Sequence, residues 1–405
     1  MWPRAIVTGT SRQPSKEDGL KDHARNSSSN LTRRDLLRTG SAALAASVLS
    51  TPLAWAAASD ADITGRNSLK AHAHKHGLLT GFAVNVHLLR TDPVYTRILT
   101  EQASILVPEL ALKWVALRPA PDKFDFTDAD TFVDFAHKHK IKLRGHTLAW
   151  HESIPSWFEA TVTKENARHF LEEHIATVVG RYKGKMQSWD VVNEAILPKD
   201  KQPGGFRDSP WYKRLGPEYI DIAFRAARQA DPKLILTYND YGVEYDNEED
   251  GERRKVILEF LRSLKTKGVP LDAVGIQSHI KAGSPSTIGK GLREYMAAVR
   301  EMGLQIYLTE LDVNEDDLAY NDVAKRDETI AATYRDFLNV ALAEPSVKDL
   351  LIWGVGDSHT WLNDGPTHHR KQPNRPQRSL PFDNDYRPKP AFFAIRDAFD
   401  HRAKA

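Results

Sequence analysis

The sequence predicts an α/β protein, a (β/α)8 TIM barrel folded as a single domain. Three observations lead there. Strand-like apolar runs alternate with amphipathic helical stretches eight times between residues 59 and 405. The connections are mostly short, and no second domain, Ser/Gly linker or internal repeat breaks the alternation. A chain of 405 residues, 41% hydrophobic with nine Trp, has ample core for one barrel of ordinary length.

In chain order, the strands are expected at Leu78–Val84, Ile105–Pro108, Lys142–Leu148, Met186–Val192, Leu234–Asp240, Ala273–His279, Gln305–Asp312 and Asp349–Val355. Between Glu165 and Tyr182, Phe170, Leu171, His174, Ile175, Val178 and Val179 recur at helical spacing. Glu218–Ala230 and Glu252–Leu264 follow the same pattern, and Thr127 or Asp128 can cap a helix running through Phe132 and Phe135. Lys183-Gly184, Lys267-Gly268 and Met302-Gly303 supply helix stops just before strands. The longest irregular segments, Pro198–Pro217 and Thr360–Pro388, both follow strands and so belong on the rim where barrels do chemistry.

Residues 1–58 are expected to be an export signal that is removed, leaving 59–405 as the catalytic domain. Thr32-Arg33-Arg34-Asp35-Leu36-Leu37-Arg38 is a twin-arginine pattern, followed by an uncharged Ala/Ser/Leu stretch from Thr39 to Ala58. That stretch is too weakly apolar to make a good membrane span, so a periplasmic or extracellular, membrane-free protein is expected. The net charge of +2 misleads: setting aside the eight basic and four acidic residues of 1–58 leaves 48 basic and 50 acidic. Nucleic-acid binding is excluded on that charge. The absence of cysteine excludes disulfides, thiolate metal sites and a cysteine nucleophile. No phosphate-cradling glycine loop appears, and no cofactor or metal is expected. The alternating His72, His74 and His76 are read as a polar approach to the first strand. A monomer is expected.

The most informative residues are two glutamates that each close an apolar run: Glu194 in Trp189-Asp190-Val191-Val192-Asn193-Glu194 and Glu310 in Ile306-Tyr307-Leu308-Thr309-Glu310. Two carboxyl groups facing each other at the C-terminal mouth of a barrel suit glycoside hydrolysis. The other strand ends bring polar and aromatic company: Glu109 with Lys113-Trp114, His146 with Trp150, Asn239-Asp240-Tyr241, Gln277 with His279, Asp312, Trp353, and Trp361 in the loop beyond. A single histidine or glutamate at a strand end is ordinary. Seven rims converging on one mouth are not.

The segments Gly145–His151, Trp189–Ala195, Gly275–His279 and Leu308–Val313, in this order and spacing, resemble the signature segments of glycoside hydrolase family 10, whose typical members are endo-1,4-β-xylanases. The resemblance runs from about Leu69 to Phe399. It implies a retaining hydrolase acting on xylan or xylo-oligosaccharides, with carboxyl groups about 5–5.5 Å apart. Glu194 would be the general acid/base and Glu310 the nucleophile. Asn193 would bond the sugar 2-hydroxyl, and His279 would orient Glu310 with Asp312 behind it. Gln277 would lie between the glutamates. Glu109, Lys113, His146 and Trp150 would bind sugars upstream of the cut, Trp353 and Trp361 would form a stacking platform, and Tyr241 would line the leaving side. One departure stands out. The family pattern reads Glu-Asn where this chain has Glu109-Leu110, so a hydrogen bond worth roughly 1 kcal/mol would be missing at the second upstream sugar.

A barrel cutting β-1,4-glucan is the nearest rival, which Lys113 and Trp361 would disfavour by crowding a hydroxymethyl group. A non-catalytic sugar-binding barrel would be expected to have lost a glutamate, and a metal-dependent hydrolase would need clustered ligands. The basic run Thr367–Lys371, with Arg375 and Arg378, is either a solvated loop or a contact for acidic glucuronosyl branches.

Overall fold

A computed structural model describes residues 61–363 and 371–402. The expected export signal lies outside the described residues. Strands β1 (Leu79–Val84), β2 (Ile105–Pro108), β3 (Lys142–Ala149), β4 (Ser188–Asn193), β5 (Ile235–Asp240), β6 (Ala273–Ile276), β8 (Gln305–Asn314) and β9 (Val347–Ile352) form the barrel. Neighbours pair in parallel in chain order, and pairings β6–β8 and β1–β9 close the ring. β7 (His279–Lys281) is a short continuation of β6 that pairs with the end of β8. The single strand expected over Ala273–His279 is therefore two, separated at Gln277-Ser278, where Ser278 takes a φ of +66°. The last strand begins two residues earlier than expected, and Trp353 lies just beyond its end.

Eight helices wrap the barrel: α1 (Pro93–Gln102), α2 (Thr127–Lys138), α3 (Ala167–Arg181), α4 (Glu218–Ala230), α5 (Glu248–Thr266), α6 (Lys290–Glu301), α7 (Val323–Ala341) and α8 (Pro390–Asp400). Their apolar stripes cover the strands' outer faces, burying Phe132, Ile175, Phe224, Leu261 and Phe337 completely. The glycine stops after α3, α5 and α6 act as expected, each at positive φ. The cap of α2 does not. Thr127 is its first helical residue and Asp125 accepts the Thr127 amide at 2.9 Å, so the acceptor sits two residues upstream of the expected cap. His72 pairs with Asp400 at 2.7 Å, fastening the helix that precedes β1 to α8.

The barrel's lumen is partly polar. Arg144 on β3 is fully buried, donates to Asp190 and to Ser188 Oγ at 3.1 Å, and lies over the Tyr307 ring. Asp349 on β9, beside Tyr307 in register, is also fully buried, and neither carboxylate oxygen has a hydrogen-bond partner among the described residues.

Candidate active site

The C-terminal strand tips surround a cleft of about 890 Å³ lined by Glu109, Lys113, His146, Trp150, Asn193, Glu194, Tyr241, Gln277, His279, Glu310, Trp353 and Trp361. Every expected site residue except Asp312 lines it, and Asp312 lies directly behind His279. A larger hollow of about 1080 Å³ on the outer wall among α3, α4 and α5 brings together helix surfaces rather than strand tips. The cleft, where titratable groups converge, is the better candidate.

Glu194 follows β4 in a left-handed conformation, φ +57°, which turns the residue out of the strand. Its Oε1 accepts from Asn193 Nδ2 at 3.0 Å and Gln277 Nε2 at 2.9 Å, both neutral amides. Its Oε2 lies 3.6 Å from His151 Nδ1 and 3.6 Å from an Arg207 guanidinium nitrogen. Glu310 is held in a different field. Its Oε1 accepts from Asn239 Nδ2 at 2.7 Å, and its Oε2 faces His279 Nε2 at 3.3 Å. His279 Nδ1 meets Asp312 at 2.9 Å, and the second Asp312 oxygen accepts from Trp361 Nε1 at 2.5 Å. Burial works against charge on His279, but Asp312 and Glu310 outweigh it and hold the imidazolium pKa well above the ordinary value. Burial likewise tends to raise Glu310, yet His279, His146 and Lys113 together bring it down to about 2.

The two carboxyl groups are wired through amides. Asn239 Nδ2 donates to both Glu310 and Asn193 Oδ1, the latter at 2.8 Å, and Asn193 donates in turn to Glu194. Gln277 serves both sides: its side chain bonds Glu194, and its carbonyl accepts the Glu310 amide at 2.9 Å. Gly275 makes this possible, because a Cβ there would fall 2.1 Å from Asn239 Oδ1. On one flank, Lys113 lies 4.5 Å over the Trp150 ring, and burial lowers its pKa despite four nearby glutamates. His146 is fixed by Asp190 at 3.0 Å and meets Trp353 edge-on. On the other, Tyr241 lies under Arg253, 4.0 Å away, and its hydroxyl accepts from Arg207 at 2.9 Å.

The family model for glycosyl hydrolase family 10 matches residues 68–398. The chain is 33% identical over 341 residues to endo-1,4-beta-xylanase B of Thermotoga neapolitana, covering 83% of this chain and 92% of that one. It is 38% identical over 347 residues to endo-1,4-beta-xylanase A of Caldicellulosiruptor, but spans only 46% of that longer protein. The crystal structure of xylanase 10B from Thermotoga maritima superposes with a TM-score of 0.72 at 35% identity, covering 82% of this chain and 98% of that one. The chain belongs to glycosyl hydrolase family 10.

A related family 10 structure, xylanase 10B from Thermotoga petrophila in complex with xylobiose, superposes equally well, at 34% identity. Asn239, placed by the sequence at the strand-five rim but given no role there, occupies the same place on β5 that Asn193 occupies on β4, and the two are register partners. That equivalence was available from the strand assignments. One residue at the site was missed by sequence reasoning. Arg207 comes from the irregular segment after β4, where no pattern signals a role. The basic run is also resolved in part. Thr367–Arg370 lies outside the described residues, but Arg378 makes a bidentate pair with buried Asp327, both contacts 2.7 Å, and Arg375 donates to the carbonyls of Glu315, Leu318 and Tyr320. These two arginines staple the loop to α7 and to the segment after β8; they are not presented to a branch.

Proposed function

We propose that this family 10 member is an exported endo-1,4-β-xylanase that cleaves internal bonds of xylan with retention, using Glu194 as general acid/base and Glu310 as nucleophile. The observation that carries this reading is the convergence of two buried carboxyl groups in one cleft, joined through Asn193, Asn239 and Gln277. Against its burial, His279, His146 and Lys113 keep Glu310 ionised, with a pKa of about 2. An anionic nucleophile facing a second carboxyl group is the pairing that retention requires.

In the first step a Glu310 oxygen attacks the anomeric carbon while Glu194 gives its proton to the departing sugar oxygen. An ester bond forms and the glycosidic bond breaks. In the second, Glu194 takes a proton from water, whose oxygen displaces Glu310 and regenerates both carboxyl groups. Asn193, braced by Asn239, would bond the sugar 2-hydroxyl. Glu109, Lys113, His146 and Trp150 would hold upstream sugars, and the buried Trp150 Nε1, without a partner among the described residues, suits a hydroxyl acceptor. Trp353 and Trp361 offer apolar faces to xylose C–H surface. Trp361 is fixed through Asp312 and Lys113 through its contact with Trp150, and both would crowd a hydroxymethyl group. The xylanase names of the relatives support the same substrate. Export rests on the Arg33-Arg34 pattern, and Arg33→Lys with Arg34→Lys should retain the protein in the cytoplasm.

The test is labelling with an activated 2-deoxy-2-fluoro-β-xylobioside, followed by peptide mass spectrometry, alongside rates on linear xylan and mixed-linkage glucan. A fluoroxylobiosyl ester on Glu310 and preference for xylan are expected. A label on another residue, or faster cleavage of glucan, would sink the proposal.

A further inference from the structure

We infer that Arg207 is a positioning residue for proton donation, clamping Glu194 in its turned conformation and balancing the charge that its carboxyl acquires as the proton leaves. The inference rests on Glu194 being the proton donor. Three contacts carry it. Arg207 Nε donates to the Glu194 carbonyl at 2.7 Å, one terminal nitrogen donates to Tyr241 Oη at 2.9 Å, and it also lies 3.6 Å from Glu194 Oε2.

The first contact answers a local need. A non-glycine residue at φ +57° sits in a sparsely populated region that persists only when its surroundings over-determine it. The Glu194 amide is held by the Asn239 carbonyl at 2.9 Å, and Arg207 secures the other end of the residue. Arg207 is itself fixed, since its amide donates to the Ala195 carbonyl at 2.7 Å and brings the loop back over the tip of β4.

The second and third contacts concern charge. Around Glu194 stand Arg207 and His151, the more distant Lys113, and the amides of Asn193 and Gln277, while the carboxylates of Glu310 and Glu152 line the same cleft. Lys113 stacks on Trp150, and His151 also faces Glu152. Arg207 alone grips both the backbone and the carboxyl side of Glu194, and its side chain is only 10% exposed, so solvent screens it little. Tyr241 accepts from the same guanidinium nitrogen that faces Glu194 Oε2. A sugar leaving against Tyr241 is thereby coupled to the group that must protonate it.

The role predicts a dependence that packing alone would not produce. The benefit of stabilising the Glu194 carboxylate scales with how much the departing oxygen needs a proton. The measurement is kcat/KM, which reports the first step, for Arg207→Gln and Arg207→Lys on aryl β-xylobiosides of graded leaving-group acidity and on xylotetraose. For Arg207→Gln the expected losses grow from a few-fold with dinitrophenolate to roughly a hundredfold with xylotetraose. Arg207→Lys should recover part of the difference. Because each ratio is taken within one variant, a reduced folded fraction cancels. Equal losses across all leaving groups would overturn the inference and leave Arg207 as a packing residue, with the assignment of Glu194 intact. Failure of the wild-type enzyme on every xyloside would overturn both.

Discussion

Replacing Asp349 by asparagine should stabilise the barrel, and only above a definable pH. The residue sits in the lumen, fully buried, with neither oxygen hydrogen-bonded among the described residues. Burial raises its pKa from 3.8 to about 7; Arg144 pulls downward and Asp190 pushes up again. One arginine thus faces two carboxyl groups and is already bonded to Asp190. Since the folded pKa exceeds the unfolded one, the folded state holds its proton more tightly. Stability is therefore unaffected below about pH 4, falls as pH rises towards 7, and stays reduced beyond. The gap between 3.8 and about 7, at about 1.4 kcal/mol per pH unit, corresponds to about 4 kcal/mol. Asparagine copies the protonated form in shape and removes the titration. Urea unfolding of both proteins from pH 4 to 9 should show curves that nearly meet at the acid end and diverge in favour of Asp349→Asn by pH 8. Parallel curves, or a wild type that is the more stable at pH 8, would refute the reasoning.

Three further outcomes are expected. Leu110 is 52% exposed beside Glu109 at the cleft, so Leu110→Asn should restore a hydrogen bond upstream and lower KM for xylotriose roughly fivefold; an unchanged KM would remove that account. Asp312→Asn should weaken the charge on His279 and so raise the Glu310 pKa from about 2, moving the acid limb of the kcat/KM profile to higher pH. A limb that stays put would mean that His279 is not what keeps the nucleophile ionised. Arg378→Gln should leave buried Asp327 with Lys389, 3.7 Å away, as its remaining cation among the described residues, costing about 3 kcal/mol in denaturant titrations without changing the ratio of rates on glucuronoxylan and linear xylan. A changed ratio would mean that Arg378 does contribute to contacting a branch.

The barrel and its carboxyl pair were legible because both are written locally. An apolar run that stops abruptly in Asn193-Glu194 or Thr309-Glu310 announces a strand tip, and eight such runs alternating with helical periods leave few topologies. Boundaries moved where tertiary contacts decided them: β8 runs on to Asn314 because β7 pairs with its end, and β6 stops early at the turned Ser278. What was not legible depends on charges brought together from distant segments. Asp349 reads as an ordinary strand residue until it is found opposite Arg144, 205 positions away in the chain, with no bond to spare. Arg375 and Arg378 read as a free basic patch until α7 and the segment after β8 supply their acceptors. Arg207 lies in a segment without periodicity, so its grip on Glu194 exists only in the folded loop.

Proton NMR of linear xylan mixed with the purified protein, following the anomeric signals of newly formed reducing ends, tests the central claim most directly. The β-anomer should appear first, and Glu310→Gln should abolish its appearance while leaving the fold intact. An α-anomer appearing first would mean inversion, and Glu310 would not be the nucleophile.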